Sequence, residues 1–297
     1  MRRRARPLRL QPLRGGGRRN LGRGRQRAWR QRAGDRAGDR SGRSVDAGDR
    51  RQAARPGAEV GQLRRAGLLR EGVGPAVVSE VIASTAHEQA RAREHIAATG
   101  QSIFARGLTF GSTGNLSIRL SDGSLLLTPT NVSMGALDPA RLALIDAEGN
   151  HVSGDRPTKE AFLHATMYAA RREAGAVVHL HSTHSVAVSC LADIDRSDVM
   201  PPLTAYYIMR VGRLPLVDYF PPGDPDLAKA VGKLAGAHHA VLLANHGPVV
   251  AGRDMDAALY ATEELEETAK LFLMLQGMKT RPLTDAQVEK LRARFAT

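Results

Sequence analysis

Three of the ten histidines in this chain stand where imidazoles could act together. His179 and His181 lie in "AVVHLHSTHS" (176–185), which begins with the small and branched apolar residues of a buried strand. Side chains at i and i+2 of a strand leave on one face, so the two rings project side by side while Leu180 faces the other way. Two imidazoles at that spacing can share a metal ion, or they can sit in a core as hydrogen-bonded groups. His246 follows directly on "AVLLAN" at the end of another apolar strand, and Gly247 and Pro248 then shape a tight turn. Glu160 opens a helix after "RPTK", where an acid suits the first turn. A third imidazole and a carboxylate at element ends, beside an open loop, would complete a three-histidine site with room for substrate, the arrangement of catalytic zinc.

A second set of residues suits an anion. "GSTGNLS" (111–117) is a Gly/Ser/Thr-rich loop before a strand, "TPTN" (128–131) closes the next strand, and "RPTKE" (156–160) enters a helix. Each alone reads as a turn or a helix cap. Together they offer backbone N–H groups, hydroxyls and the charge of Lys159, which suit a phosphate beside the metal.

The elements that must position these residues alternate in type. Helical spacing at Ile96, Ile103 and Phe104 predicts a helix over 81–106 with Gly107 as its stop. Strands are expected at 116–120, at 124–129 after an Asp-Gly turn, and at 142–146. A helix at 159–172 precedes the strand 176–181. Further on come a strand near 214–219, a helix near 225–236, the strand 240–245, "PVVAG", and two closing helices at 254–277 and 284–295. Helices and strands interleave, yet hairpin signals are frequent, so an α/β sandwich with a mixed, largely antiparallel sheet flanked by helices is expected. The acid-rich "EELEETAK" (263–270) reads as a solvated or intersubunit helix face.

Bulk charge misleads here. The formal net charge is +13, but residues 1–80 hold 22 Arg, no Lys and 7 acidic residues, whereas residues 81–297 are slightly acidic, with 21 basic against 23 acidic residues. Residues 1–78 form an Arg- and Gly-rich extension with too little apolar surface to offset the entropy of ordering, so disorder is expected. Its only aromatic is Trp29, which leaves no stacking set for nucleic acid, and nucleic acid is not an expected partner. Asp35, Asp39, Asp46 and Asp49 count against a transit peptide, and no apolar segment follows the Arg run as in a secretory signal. Arg without Lys fits translated upstream DNA ahead of a start misassigned in a GC-rich gene. Residues 79–297 have a length that one domain can occupy. No apolar run is long enough to span a membrane. The single Cys190, inside "VAVSCLA", reads as a small core residue in a reducing, cytoplasmic protein.

The ordered set "GSTGNLSIRL", "TPTN", "PTKEAFLH", "AVVHLHSTHSVAVS" and "ANHGPVV" resembles the class II aldolase/adducin family over nearly all of residues 85–297. The resemblance implies a class II aldolase-like sandwich and one divalent metal per subunit, most often Zn2+. It implies His179, His181 and His246 as ligands, with Glu160 as acid/base and as a further ligand when substrate is absent. Phosphate contacts are implied at Asn115, Thr130, Asn131, Thr158 and Lys159, with the substrate carboxylate as the alternative partner of Lys159. Tyr207 matches a catalytic tyrosine near a subunit boundary better than Tyr206 does, and a homotetramer is implied. Asn131 stands where the family's sugar-phosphate aldolases carry glycine, and Thr158 and Lys159 where they often carry paired serines. "TPTNVSMGALDPARLALID" and "HLHSTHSVAVSCLADID" look closest to the 3-oxo-tetronate 4-phosphate decarboxylase branch. The implied partner is a phosphorylated four-carbon sugar acid, whose loss of CO2 would leave an enediolate that zinc would stabilise and that Glu160, or a water it holds, would protonate to dihydroxyacetone phosphate. Aldol cleavage, of the fuculose- or ribulose-phosphate type, would pass through the same enediolate. An adducin-like binding module would lack the ligands. His164, one helical turn after Glu160, could stand behind the site, and His184 at its rim.

Overall fold

Period-two alternation along the strands builds the molecule. Val177 packs on one side of the sheet, with Leu125, Leu127, Val241, Leu243 and Val249. Its neighbours Ala176 and Val178 pack on the other, with Leu116 and Leu126. Both faces are therefore apolar and each must be covered by helices. In the computed structural model, residues 74–297 are described except 222, 296 and 297, together with 64, 67 and 68. The expected extension over 1–78 lies outside the described residues apart from its last few and those three.

The sheet has eight strands, β1 (Asn115–Arg119), β2 (Leu125–Leu127), β3 (Ala143–Ile145), β4 (His151–Ser153), β5 (Ala176–His179), β6 (Leu216–Val217), β7 (Ala240–Leu243) and β8 (Gly247–Gly252). Their order is β4-β3-β2-β1-β5-β8-β7-β6, antiparallel throughout except for the parallel pair β6 and β7. The mixed, largely antiparallel α/β sandwich read from the sequence is the fold observed. On one face lie α2 (Ala161–Ala170) and α5 (Pro225–Ala235), which contribute Leu163, Met167, Leu227 and Val231. On the other lie α1 (Pro75–Ala105), with Ile96 and Ile103 fully buried, and α6 (Met255–Met274). The short α3 (Thr183–Ser189) and α4 (Ala205–Arg210) pack with α6 and α7 (Asp285–Arg294) around a second cluster that includes Val188, Tyr207, Ile208, Leu265 and Val288. Among the described residues, no helix is long and apolar enough to cross a membrane.

Several details differ from the expectations. Helix α1 starts at Pro75, six residues before its expected start, and Phe104 is 40% exposed while Ile96 and Ile103 are buried. Gly107 does stop it, at φ +72. Strand β4 and helices α3 and α4 have no counterpart among the expected elements, because each is short and carries no long periodic signal. Cys190 is exposed, at the C-cap of α3, rather than in the core.

The approach of β1 to β5 sets a steric limit. Gly114 has φ +78, and a Cβ there would sit 2.8 Å from the His179 carbonyl oxygen. Gly114→Ala is expected to lower stability by about 1–3 kcal/mol, from strain in the left-handed region and displacement of that carbonyl. A urea unfolding midpoint equal to that of the parent would contradict this account.

Candidate metal centre

Strand register assembles the site. His179, the last residue of β5, is paired with Asn115 at the start of β1 and with Val249 of β8. Two residues after Val177, it points to the face covered by α2. Leu180 turns the other way, into the cluster around α1, and His181 returns to the His179 side, although β5 has by then ended. His246 lies in the turn joining β7 to β8, which Asn245 permits by taking φ +55, a conformation Asn tolerates better than most residues. A Cβ on Gly247 would come within 2.2 Å of the Leu180 carbonyl, so that approach requires glycine. Glu160 is the N-cap of α2, yet its side chain makes no capping bond and turns toward the histidines instead.

The four groups converge. Oε2 of Glu160 lies 3.4 Å from Nε2 of His179, and Oε1 lies 3.3 Å from Nε2 of His246. Nε2 of His181 is 3.2 Å from Nε2 of His179. One ligand atom from each of the four falls within 4.8 Å of all the others. His179 donates its Nδ1–H to the Pro248 carbonyl at 2.8 Å, which orients the ring and turns Nε2 toward the cluster. Burial, then the neighbouring His179, holds His181 down at about 3 and His246 at about 4, so both are neutral near pH 7, the state a metal requires. For Glu160, burial pushes upward, but His179, the Asn115 hydrogen bond and the other two imidazoles outweigh it and hold the carboxyl at about 2. Three imidazoles and one carboxylate make a donor set that fits a divalent metal such as zinc. A cavity of about 470 Å³ opens beside them, lined by His181 and His246 with Thr183, Phe110, Tyr219 and Phe220.

The expected phosphate residues divide. The "TPTN" and "RPTKE" segments are stapled together by a Pro129–Pro157 bridge, by Thr130 N–H donating to the Arg156 carbonyl at 3.0 Å, and by Thr158 N–H donating to the Thr128 carbonyl at 3.2 Å. This brings Thr130, Asn131, Thr158 and Lys159 to one loop cluster next to Glu160. Asn131, in the family's glycine position, has φ +60, a left-handed conformation that glycine adopts without strain and Asn tolerates. Lys159 is exposed, whereas Thr158 is buried and its hydroxyl accepts the Glu160 N–H. The carboxamide of Asn115 is engaged at both ends, donating to Glu160 at 2.7 Å and bonded to His164, so it serves Glu160 rather than standing open to a phosphate. Tyr207 is not brought to the four ligands; it is fully buried in the second core cluster, its hydroxyl without a partner among the described residues, while Tyr206 is 60% exposed.

The sequence reading missed Glu266. Within the segment expected to be a charged outer face, it is 5% exposed. It accepts hydrogen bonds from the backbone N–H groups of His184 and Ser185, from the Ser185 hydroxyl and from His184 Nδ1, at 2.7–2.9 Å. The carboxylate thus caps α3, directly after the ligand segment, where Ser182 makes no side-chain capping bond. Burial pushes its pKa up, but these donors pull it below the usual range.

The family model described as Class II Aldolase and Adducin N-terminal domain matches residues 94–273. A 3-oxo-tetronate 4-phosphate decarboxylase of Haemophilus influenzae is 48% identical over 202 residues, 68% of this chain and 96% of the relative. An L-fuculose phosphate aldolase of Methanococcus maripaludis is 36% identical, over 60% of this chain and 93% of the relative. The crystal structure of YgbL from Escherichia coli is similar with a TM-score of 0.68 and 46% identity, covering 69% of this chain and 99% of that one.

Two outcomes are expected. Because His181 and His246 have folded pKa values far below the ~6.5 of an unfolded histidine, stability and metal affinity present above about pH 6.5 should fall as pH drops toward 4. Glu160 should add a further loss as pH falls from about 4.3 toward 2. Urea midpoints and chelator competition across that range measure both effects, and flat profiles would rule out buried neutral ligands. Separately, Glu266→Ala should cost about 1–3 kcal/mol by leaving buried N–H groups unpaired, with Glu266→Gln milder; equal melting temperatures for Glu266→Ala and the parent would refute the capping role.

Proposed function

As the chain belongs to the class II aldolase and adducin family and is a carbon–carbon lyase, we propose that it decarboxylates a 3-oxo-tetronate 4-phosphate to dihydroxyacetone phosphate and CO2. The observation that carries this reading is the cluster of Glu160, His179, His181 and His246 in a chain so similar, over nearly the whole length of the relative, to a named decarboxylase.

The substrate's keto group sits beside the carbon bearing the carboxylate, so the electron pair left by departing CO2 has a place to go. A divalent metal, taken as Zn2+, would be held by His179, His181 and His246, with Glu160 as a further ligand before substrate binds, and would supply a Lewis acid to that electron pair. Thr130, Asn131, Thr158 and Lys159 bind the phosphate end, Lys159 supplying the positive charge. The carbon that loses CO2 must gain one proton from solvent. Glu160 relays it, since its carboxylate is the proton-transfer group nearest the three imidazoles. Exposed Phe110 and Tyr219 beside the cavity, with Tyr206, suit a site completed at a subunit boundary, which supports a homotetramer as part of the proposal.

The second reading is aldol cleavage of a sugar phosphate, favoured by the likeness to the fuculose phosphate aldolase. It uses the same residues and differs in what leaves, an aldehyde instead of CO2.

The zinc-loaded protein given 3-oxo-tetronate 4-phosphate should release CO2 and dihydroxyacetone phosphate in equal amounts, and His181→Ala should lower the rate more than about 100-fold. Absence of CO2 from folded, metal-loaded protein, with condensation of dihydroxyacetone phosphate and an aldehyde instead, would replace this assignment with the aldolase.

A further inference from the structure

Behind Glu160 runs a file of buried polar groups that touches neither the ligand cluster's open side nor the cavity. Ser117 and His164 have no accessible surface, and Asn115 and Tyr168 are each 4% exposed. Asn115 Nδ2 donates to Glu160 Oε2 at 2.7 Å, and Asn115 Oδ1 meets His164 Nε2. His164 Nδ1 lies 2.7 Å from Ser117 Oγ, which lies 2.8 Å from the Tyr168 hydroxyl.

The proton positions follow from the carboxylate outward. An ionised carboxylate only accepts, so the Asn115 carboxamide must turn its NH2 to Glu160 and its oxygen to His164. That oxygen needs a donor, which places the ring proton of His164 on Nε2. Burial, first among the causes, keeps this imidazole neutral, with its pKa held at about 3, so Nδ1 is an acceptor and takes the Ser117 O–H. Ser117 Oγ is then free to accept from Tyr168, whose O–H also reaches the Ser117 carbonyl at 3.1 Å. Every donor in the file points toward Glu160, the arrangement in which successive hydrogen bonds strengthen one another.

We propose that this file is a positioning device for the acid–base carboxylate, in which the Nε2–H tautomer of His164 locks the Asn115 carboxamide so that Oε2 of Glu160 is held and Oε1 stays on the reacting side. His164 is thus a positioning residue, acting through Asn115; its kinetic role rests on the acid–base reading of Glu160 given above. The device explains why α2 starts with a carboxylate that does not cap it and carries a histidine one turn later. It also gives His164 and His179 opposite tautomers, since His179 donates from Nδ1.

Long-range 1H–15N spectra of the full chain labelled with 15N-histidine, with and without Zn2+, read the tautomer directly. A resonance lost in His164→Gln should show a protonated Nε2 and a bare Nδ1, unchanged by zinc. Kinetically, His164→Leu should lower kcat by about 10–100-fold with KM and zinc affinity within about threefold, and His164→Gln, which keeps an N–H donor for Asn115, should recover most of the loss. Where His164→Leu does not fold, Ser117→Ala tests the same bond by removing the donor to Nδ1, and a lowered kcat at unchanged zinc affinity is expected. An Nδ1–H tautomer at His164, or a full kcat in folded His164→Leu or Ser117→Ala, would overturn the proposal. A protein with no decarboxylase activity would defeat the functional assignment alone, because the tautomer is read without turnover.

Discussion

Strand β5 ends at His179, held between the first residue of β1 and Val249 of β8, and the site depends on that register. Pairing with β1 sets Asn115 next to His179, and the turn into β8 supplies both the Pro248 carbonyl that orients the His179 ring and the His246 that faces it. A one-residue slip would turn His179 toward the α1 face and send Leu180 to the ligands. Gly114 and Gly247 let three chain segments approach this point more closely than any side chain would allow.

Gathering these groups is costly in the absence of a metal. A carboxylate taken out of water loses several kcal/mol of solvation, and His181 and His246 lose their tendency to protonate. Glu160 recovers part of this through Asn115, whose other end is held by His164, while Pro248 satisfies His179. Glu266 does comparable work for α3, the helix that leaves the ligand segment. Glu160, His179 and the start of α3 are thus each paired outward from the cluster.

The family resemblance and the geometry single out the same four groups, Glu160, His179, His181 and His246, and differ over the residues around them. Asn131 takes φ +60, a conformation that a glycine also adopts readily, so the residue that departs from the family pattern still makes a left-handed turn. Asn115 is spent on Glu160. Tyr207, by contrast, lies in a core cluster built by α4, α6 and α7, and the exposed tyrosine beside it is Tyr206.

Residue type and period were enough to determine the alternating α/β order, the apolar strands buried on both faces, and the spacing that sets His179 and His181 on one side with Leu180 on the other. These are local properties, carried by side-chain direction every two or 3.6 residues. The capping of α3 by Glu266, the file from Tyr168 to Glu160, the exposure of Cys190 and the burial of Tyr207 were not legible there. Each depends on contacts between segments tens of residues apart, or on which face of a short helix meets a neighbour. An acid in a run such as "EELEETAK" looks the same whether it faces water or a helix end more than 80 residues upstream, and only tertiary packing decides which.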